Sequence, residues 1–537
     1  MSYTTREIEL NMVLKKVTEW SEDKQGLYFI LFISAILKAL VFWALSDTPI
    51  NPDGVLYISA AQQFAEGNFK EGLALYPMPL YPALIAIVYL IIPHWVMAAR
   101  LISYTSLVLM VIPLYHLINH LFGRGAAFWG CFAFVLAPIP NGWVVDVIRG
   151  PSFVFVLAWA VYFALQAVCS EGIKYFFIAA FFGWLAVCLR IEGIIFVPFY
   201  FLFLIGLAIS KNRERPYFLK GILIWIIFPL FLSAIFLVFF GTEIMSYNRG
   251  GEVWLVVKDI FHLKFLDNYY RIYGHLKTIE NSLPFSGMNQ NFAAIARHHM
   301  PIIYLFGLLE TLIKVIFPFF VVSLFWGFRD SLTRSRLFLL SLVLIYLFMC
   351  YYSYVVRDFI QKRFFFFPAF LLYVWIGRGI ERMFMLVRQS VRPQLFAVVF
   401  AVLFFISPGY KIVHSIGKQD NVITRTGKWI ATRPAFAEAK IATNDSRILF
   451  YAGRKTFGGN IKDFARYAQL KYDYSSLEQL AAENKKDILI IITSSRAKDI
   501  ASGFKHYKEV KEFIGKKRIV AVLCSTEFVK KLKKEDN

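Results

Sequence analysis

The chain alternates long uninterrupted apolar stretches with short polar ones. Eleven apolar runs stand at about 27–46, 98–118, 125–141, 150–168, 174–190, 193–210, 218–240, 302–327, 336–356, 364–380 and 394–411. A helix needs ~20 apolar residues to cross ~30 Å of hydrocarbon. Inside lipid, a helix keeps every backbone N–H and C=O paired within its own segment. The pattern therefore predicts a polytopic α-helical membrane protein with about eleven to thirteen spans. A further run at 79–93 carries Pro79, Pro82 and Pro93. It reads as a half-inserted or interfacial helix, because Pro tends to end helices. After residue 411 the pattern changes. Strand-like runs at Arg447–Phe450, Asp487–Thr493 and Arg518–Leu523 alternate with helix-like stretches such as Ser476–Asn484, the signature of a small soluble α/β domain.

Composition strengthens this reading. Of 537 residues 58% are hydrophobic and only 18% charged, whereas soluble proteins carry roughly a quarter charged residues. Much of the net charge of +22 falls in loops, since cytoplasmic loops of membrane proteins are enriched in Lys and Arg, and in the segment 412–537, with 25 Lys/Arg against 14 Asp/Glu. Nucleic-acid binding is therefore not expected. Lys211, Arg213, Arg215 and Lys220, then Arg329, Arg334 and Arg336, then Arg378, Arg382, Arg388 and Arg392 flank three loops. Eleven spans with the N-terminus inside put all three in the cytoplasm. The resulting expectation is a cytoplasmic segment 1–26, a membrane domain 27–411 with outside loops 47–97 and 241–301, and a domain 412–537 on the periplasmic side. The N-terminal segment lacks a small-residue cleavage site, so the first apolar run reads as an anchor that stays. The five cysteines show no CxxC pair and no metal-ligand spacing, so neither a disulfide framework nor a zinc site is expected.

Ionisable residues in or beside spans are expensive and mark candidate sites. Asp53 follows the first span and opens an amphipathic stretch that ends at Gly67. It is either a helix cap, a role Asp fills well, or a reactive carboxylate. Asp146 and Arg149 stand in the next outside loop, and Arg190 with Glu192 in a short break between spans. The last pair could simply hold a bend. Lys362 and Arg363 precede a late span, while Arg271, His298 and His299 lie in the 241–301 loop with Tyr247 and Arg249. Lys38, and Glu310 with Lys314 four residues on, read as internal pairs or cavity-facing groups.

Asp53-Gly54 with Tyr57, the closing Gly67, and Pro79-Leu80-Tyr81-Pro82 form an ordered set. Leu121-Phe122-Gly123-Arg124, Ala137-Pro138, Leu189-Arg190-Ile191-Glu192-Gly193 and Lys362-Arg363-Phe364 through Pro368 continue it. This series resembles the polyprenyl-phosphate-dependent GT-C glycosyltransferases, a superfamily that includes oligosaccharyltransferases, protein O-mannosyltransferases and lipid A aminoarabinose transferases. It is most similar to the bacterial mannosyltransferase-like branch. The resemblance implies a GT-C-like fold and inverting transfer of a sugar from a polyprenyl-phosphate donor to a lipid, glycan or protein acceptor. That transfer is expected at the outer face of the cytoplasmic membrane.

It further implies Asp53 as catalytic base, with Asp146 as the second, weaker candidate, because Gly150 stands where many relatives carry Asp. Arg149, Arg190, Lys362 and Arg363 would hold the donor phosphate. Tyr57, Tyr81, Glu192, Arg271, His298 and His299 would line the cleft. The chemistry agrees: a base must take the acceptor's proton and cations must hold the departing phosphate. Snorkelling to lipid head groups is the other reading of those cations. No Asp-x-Asp cluster demands a metal, and relatives differ, so a divalent cation is left open. The competing classes are a lipid or polysaccharide transporter, which would show discontinuous helices in repeated halves, and a non-catalytic membrane scaffold.

Overall fold

The computed structural model describes residues 25–169, 172–210, 214–240, 258–259, 261–281, 287–357, 359–389, 393–454, 456, 481, 486–494 and 506–535. Tyr247, Arg249 and, apart from Ala481, the helix expected at Ser476–Asn484 lie outside the described residues. Among the described residues eight helices are long and apolar enough to cross a membrane, and ten if each of two bent pairs counts as one span. One bent pair is Arg124–Leu136 with Pro138–Val145, the other Gln290–His298 with Met300–Ile316. Ile173–Leu189 is an apolar helix of 17 residues. The run at 79–93 forms Leu80–Ile91, 12 residues, or about 18 Å at 1.5 Å per residue, which is short of a full crossing.

Two expected spans divide, the run at 125–141 between Arg124–Leu136 and Pro138–Gly142 and the run at 302–327. The latter is two helices, Met300–Ile316 and Pro318–Gly327, joined at Phe317 with φ 94°. Pro318 has no N–H to continue the first helix, and its ring excludes the α conformation for the residue before it. Broken helices therefore do occur in this chain, although its sequence shows no Gly/Pro-broken pairs in repeated halves.

The chain folds as two compact units. The membrane unit takes Met1–Lys38, Thr105–Asn141 and Gly150–Ile412. Its central helix, Phe366–Gln389, is buried along most of its length. A Cβ on Gly379 would lie 1.8 Å from the Ser323 carbonyl oxygen, and one on Gly327 would lie 2.1 Å from that of Trp375. Bare backbones thus let this helix touch Pro318–Gly327, a packing device common between membrane helices. Tyrosine hydroxyls add cross-links that apolar contact cannot: Tyr373 donates to the Ile316 carbonyl at 2.8 Å and Tyr200 to that of Ala164 at 3.1 Å. Glu310 and Lys314 form an exposed ion pair. Lys38 is fully buried, and its Nζ has no hydrogen-bond partner among the described residues.

The loop-and-tail unit takes Ala39–Tyr104, Gly142–Arg149 and Val413–Asn537. Its sheet holds β1 (Ile441–Thr443), β2 (Ile488–Ser494), β3 (Tyr507–Ile514) and β4 (Arg518–Ser525) in the order β1-β2-β4-β3. The first pair is parallel and the others antiparallel. Ile488, Ile490, Val520 and Val522 face Phe436 and Phe528 in its core. The strand expected at Arg447–Phe450 is instead part of a helix, Ser446–Tyr451. Asp445 caps it by accepting the Arg447 N–H at 3.0 Å, a bond that competes locally with strand pairing. β3 escapes the apolar pattern because only Tyr507 and Phe513 are buried, with charged residues between them on an exposed sheet edge. Edge strands are commonly charged in this way.

Candidate functional site

The segment that follows the first span is organised around Asn51. It occupies the cap position of the helix Pro52–Ala65, yet its side chain makes no cap bond. Its Oδ1 instead accepts the Val147 N–H at 3.0 Å. Gly54 completes the junction, since a Cβ there would stand 2.8 Å from the Val147 Cβ. Asp53 is therefore in the first turn of the helix and is not its cap. It neighbours Gly54 in the chain as Asp146 neighbours Val147, so both candidate carboxylates lie on backbone segments in direct contact.

Asp146 is partly buried, and its carbonyl accepts from the Ser103 hydroxyl at 2.7 Å. Burial pushes its carboxyl up to about 6, against the lowering influence of Arg100 and Arg447. These two arginines are themselves held by the strand of chain that leads into the site. Arg100 donates to the Ser46 carbonyl and, at 2.6 Å, to that of Thr48. Arg447 reaches the Ile50 carbonyl at 3.4 Å and pairs with Asp445. The Tyr451 hydroxyl accepts the Ile50 N–H at 3.0 Å. Sequence reasoning missed all three. Arg100 carried a usable signal, a cation inside an apolar run, whereas Arg447 and Tyr451 carried none.

Arg149 lies in an aromatic box. Its Nε donates to the Tyr57 hydroxyl at 3.1 Å, and its guanidinium stands 5.4 Å from the Tyr57 ring centre and 5.0 Å from that of Tyr76. Tyr81 packs edge-on against Tyr57 at 5.3 Å. Such rings attract a cation through their negative faces and fix its direction. Five expected site residues, Asp53, Tyr57, Tyr81, Asp146 and Arg149, thus belong to one unit.

The membrane unit holds the others. Arg190 is 6% exposed and forms a two-point ion pair with Glu192, Nε to Oε2 at 3.2 Å and a second contact to Oε1. The Glu192 carbonyl accepts from the Tyr346 hydroxyl at 3.1 Å. Arg190 also lies over Phe364 at 5.6 Å, and Arg363 lies over the same ring at 5.8 Å. One ring therefore gathers Arg190 beside the Lys362-Arg363 pair. The backbone here leaves the α-helix, with 3₁₀ turns at Ile191–Ile195 and Lys362–Phe365. A Cβ on Gly193 would meet the Val187 nitrogen at 2.7 Å, so the first break needs glycine.

Arg271, His298 and His299 are exposed. Arg271 donates to Asn268 on its own helix, Phe265–Asn281, at 3.0 Å. The two histidines stand where Gln290–His298 meets Met300–Ile316 at 78°. Arg297, beside them, turns inward to Glu280 at 2.8 Å and ties two helices together. Among the described residues no group of three His, Cys, Asp or Glu is arranged to hold a metal ion.

Residues 76–235 match the family described as dolichyl-phosphate-mannose-protein mannosyltransferase. The fold is similar to that of ArnT from Cupriavidus metallidurans bound to undecaprenyl phosphate, at 12% identity and a TM-score of 0.50, covering 93% of this chain and 98% of that one. It is also similar to the Archaeoglobus fulgidus oligosaccharyltransferase in complex with zinc and sulfate, at 14% identity and a TM-score of 0.52, covering 87% and 67%. No curated protein matches this chain in sequence.

Proposed function

We propose that the chain is a membrane glycosyltransferase of the GT-C superfamily, a reading supported by the family match over residues 76–235 and by the fold, and that it moves a sugar from a polyprenyl-phosphate-linked donor to a lipid, glycan or protein acceptor. The reaction takes place at the outer face of the cytoplasmic membrane. The observation that carries this reading is the junction of Asn51 and Gly54 with Val147, which brings two carboxylate-bearing segments together in the unit that also holds the boxed Arg149.

Asp53 takes the proton of the acceptor hydroxyl as its oxygen attacks the sugar's anomeric carbon. The bond from that carbon to the phosphate oxygen breaks, and the phosphate leaves with the electron pair. Asp146, ionised above pH about 6, is the second base candidate. Arg149 answers the charge that builds on the phosphate, and fixed cations are worth most where charge develops. Arg190, Lys362 and Arg363 are assigned to the same anionic donor on the strength of their own clustering. Tyr57 and Tyr81 direct Arg149, Glu192 directs Arg190, and the exposed Arg271, His298 and His299 are assigned to the acceptor side. A divalent cation is not required by any step. The carrier that the Cupriavidus relative holds is of the donor class proposed here.

The test uses the purified full-length protein with a polyprenyl-linked sugar donor. Asp53→Asn is expected to lower transfer by about 10²–10⁴-fold, the usual worth of a general base, with thermal unfolding as in the wild type. Wild-type rates from this variant would remove Asp53 from the role. Lipid extracts of a strain lacking the protein are expected to accumulate one polyprenyl-phosphate sugar. No such change would favour the transporter or scaffold reading.

A further inference from the structure

The end of the membrane unit where helix Phe366–Gln389 finishes contains a cavity of about 450 Å³. Arg329, Arg378, Arg382, Trp129 and Trp326 line it, with Met385 and Leu386 at its apolar side. Arg378 and Arg382 are one helical turn apart and share Asp330, which Arg378 reaches at 3.0 Å. Arg382 also donates to the Trp326 carbonyl at 2.6 Å. Glu381 pairs with Arg378 at 2.6 Å. Its other oxygen would be 2.2 Å from a Cβ on Gly125, so it abuts the first turn of the helix Arg124–Leu136, where negative charge is favoured.

Both carboxylates are therefore committed to positioning, and three guanidiniums face two acids. Arg329 is the difference. Its guanidinium lies 5.2 Å from the Trp326 ring centre, and it forms no ion pair among the described residues. Met385 and Leu386 are exposed at 39% and 52%, on a helix long and apolar enough to cross a membrane. The cavity thus combines a fixed cation array with an apolar wall open to lipid.

We propose that this cavity binds a phosphate-bearing anion, supplied by the head group of an anionic phospholipid in the leaflet at this end, whose acyl chain lies along Met385 and Leu386. Planar guanidiniums suit phosphate oxygens because they donate in pairs, and basic pockets between membrane helices are where anionic head groups lodge. The choice of a lipid over a soluble anion rests on the apolar wall, which a free phosphate would leave unused.

The experiment uses the full-length protein in detergent, titrated with phosphatidylglycerol or with phosphatidylcholine and followed by native mass spectrometry and thermal unfolding. The wild type is expected to retain phosphatidylglycerol at concentrations where phosphatidylcholine is lost. Arg329→Gln is expected to weaken that retention at least tenfold, and Arg329→Lys by less. Arg329 holds no other side chain by an ion pair, so both variants should unfold like the wild type when no lipid is added. If inorganic phosphate displaces phosphatidylglycerol and gives the same Arg329-dependent shift in unfolding, the phosphate site stands and the soluble anion is its source. Equal retention of the two lipids by the wild type, or equal retention of phosphatidylglycerol by wild type and Arg329→Gln, would overturn the proposal.

Discussion

At the start of helix Phe366–Gln389, Arg190 pairs with Glu192 and shares the Phe364 ring with Arg363. Toward its other end, about 18–24 Å from Phe366 at 1.5 Å per residue, Arg378 and Arg382 pair with Asp330 and Arg329 lies on Trp326. The inventories are alike: arginines, a few acids and a ring under a cation. The backbones differ. At the first end two 3₁₀ turns interrupt the helices, and irregular backbone at membrane depth is tolerated only where protein or a water-filled cavity surrounds it. At the second end Arg378 and Arg382 project from an unbroken helix. Charge alone does not distinguish the two ends. The break in the helix does, because at the proposed donor end it lets Arg190 and Arg363 converge on the Phe364 ring.

The largest expected effect breaks that contrast directly. Arg190→Gln combined with Glu192→Gln removes the pair without stranding a charge, and should lower sugar transfer by about 10²–10³-fold if Arg190 holds the donor phosphate. The matching double change at the other end, Arg378→Gln with Asp330→Asn, should leave transfer within about threefold. Equal losses at both ends would end the distinction.

A smaller effect concerns Asp146, the carboxylate of the other unit. With its carboxyl raised to about 6, transfer should fall about tenfold per pH unit below that value if the ionised form is needed. Asp146→Asn should flatten this acid limb. Stability runs the opposite way. The folded state binds the extra proton between the ordinary carboxylate value near 4 and about 6, so wild-type stability declines as pH rises through that window. The asparagine variant should lose this decline, and an unchanged slope in thermal unfolding against pH would exclude the raised carboxyl. The smallest effect tests the helix that joins the two ends. Gly379→Ala forces a methyl toward the Ser323 carbonyl and should cost about 1–3 kcal/mol, as overpacking does. It should lower the unfolding temperature and leave the pH profile of transfer in place.

Most spans were legible because burial in lipid leaves long apolar runs, and all eleven runs coincide with helices or helix pairs. The division at Phe317 was legible only in hindsight, through Pro318. The site was legible in part. Asp53, Asp146, Arg149 and Arg190 stood out because charges beside spans are rare, but what holds them was hidden. Asp53 reads as a helix cap, but the cap position belongs to Asn51, whose side chain serves instead as a bridge to Val147. Arg447 reads as a strand residue 397 positions from Ile50, the carbonyl it reaches. Contacts that distant leave no periodicity in either segment, so no local pattern could announce them.

The 397 positions between Ile50 and Arg447 also measure time. At ~5–20 residues per second of synthesis, the stretch leading to Asp53 waits roughly 20–80 s before Arg447 and Tyr451 emerge to hold the peptide groups of Ile50. The nascent chain already lies in the membrane during that interval, with its first loop lacking two anchors. A chain truncated before residue 447 would insert its spans and never complete this clasp. These two hydrogen bonds thus couple the order of the first loop to the arrival of a segment made about 400 residues later.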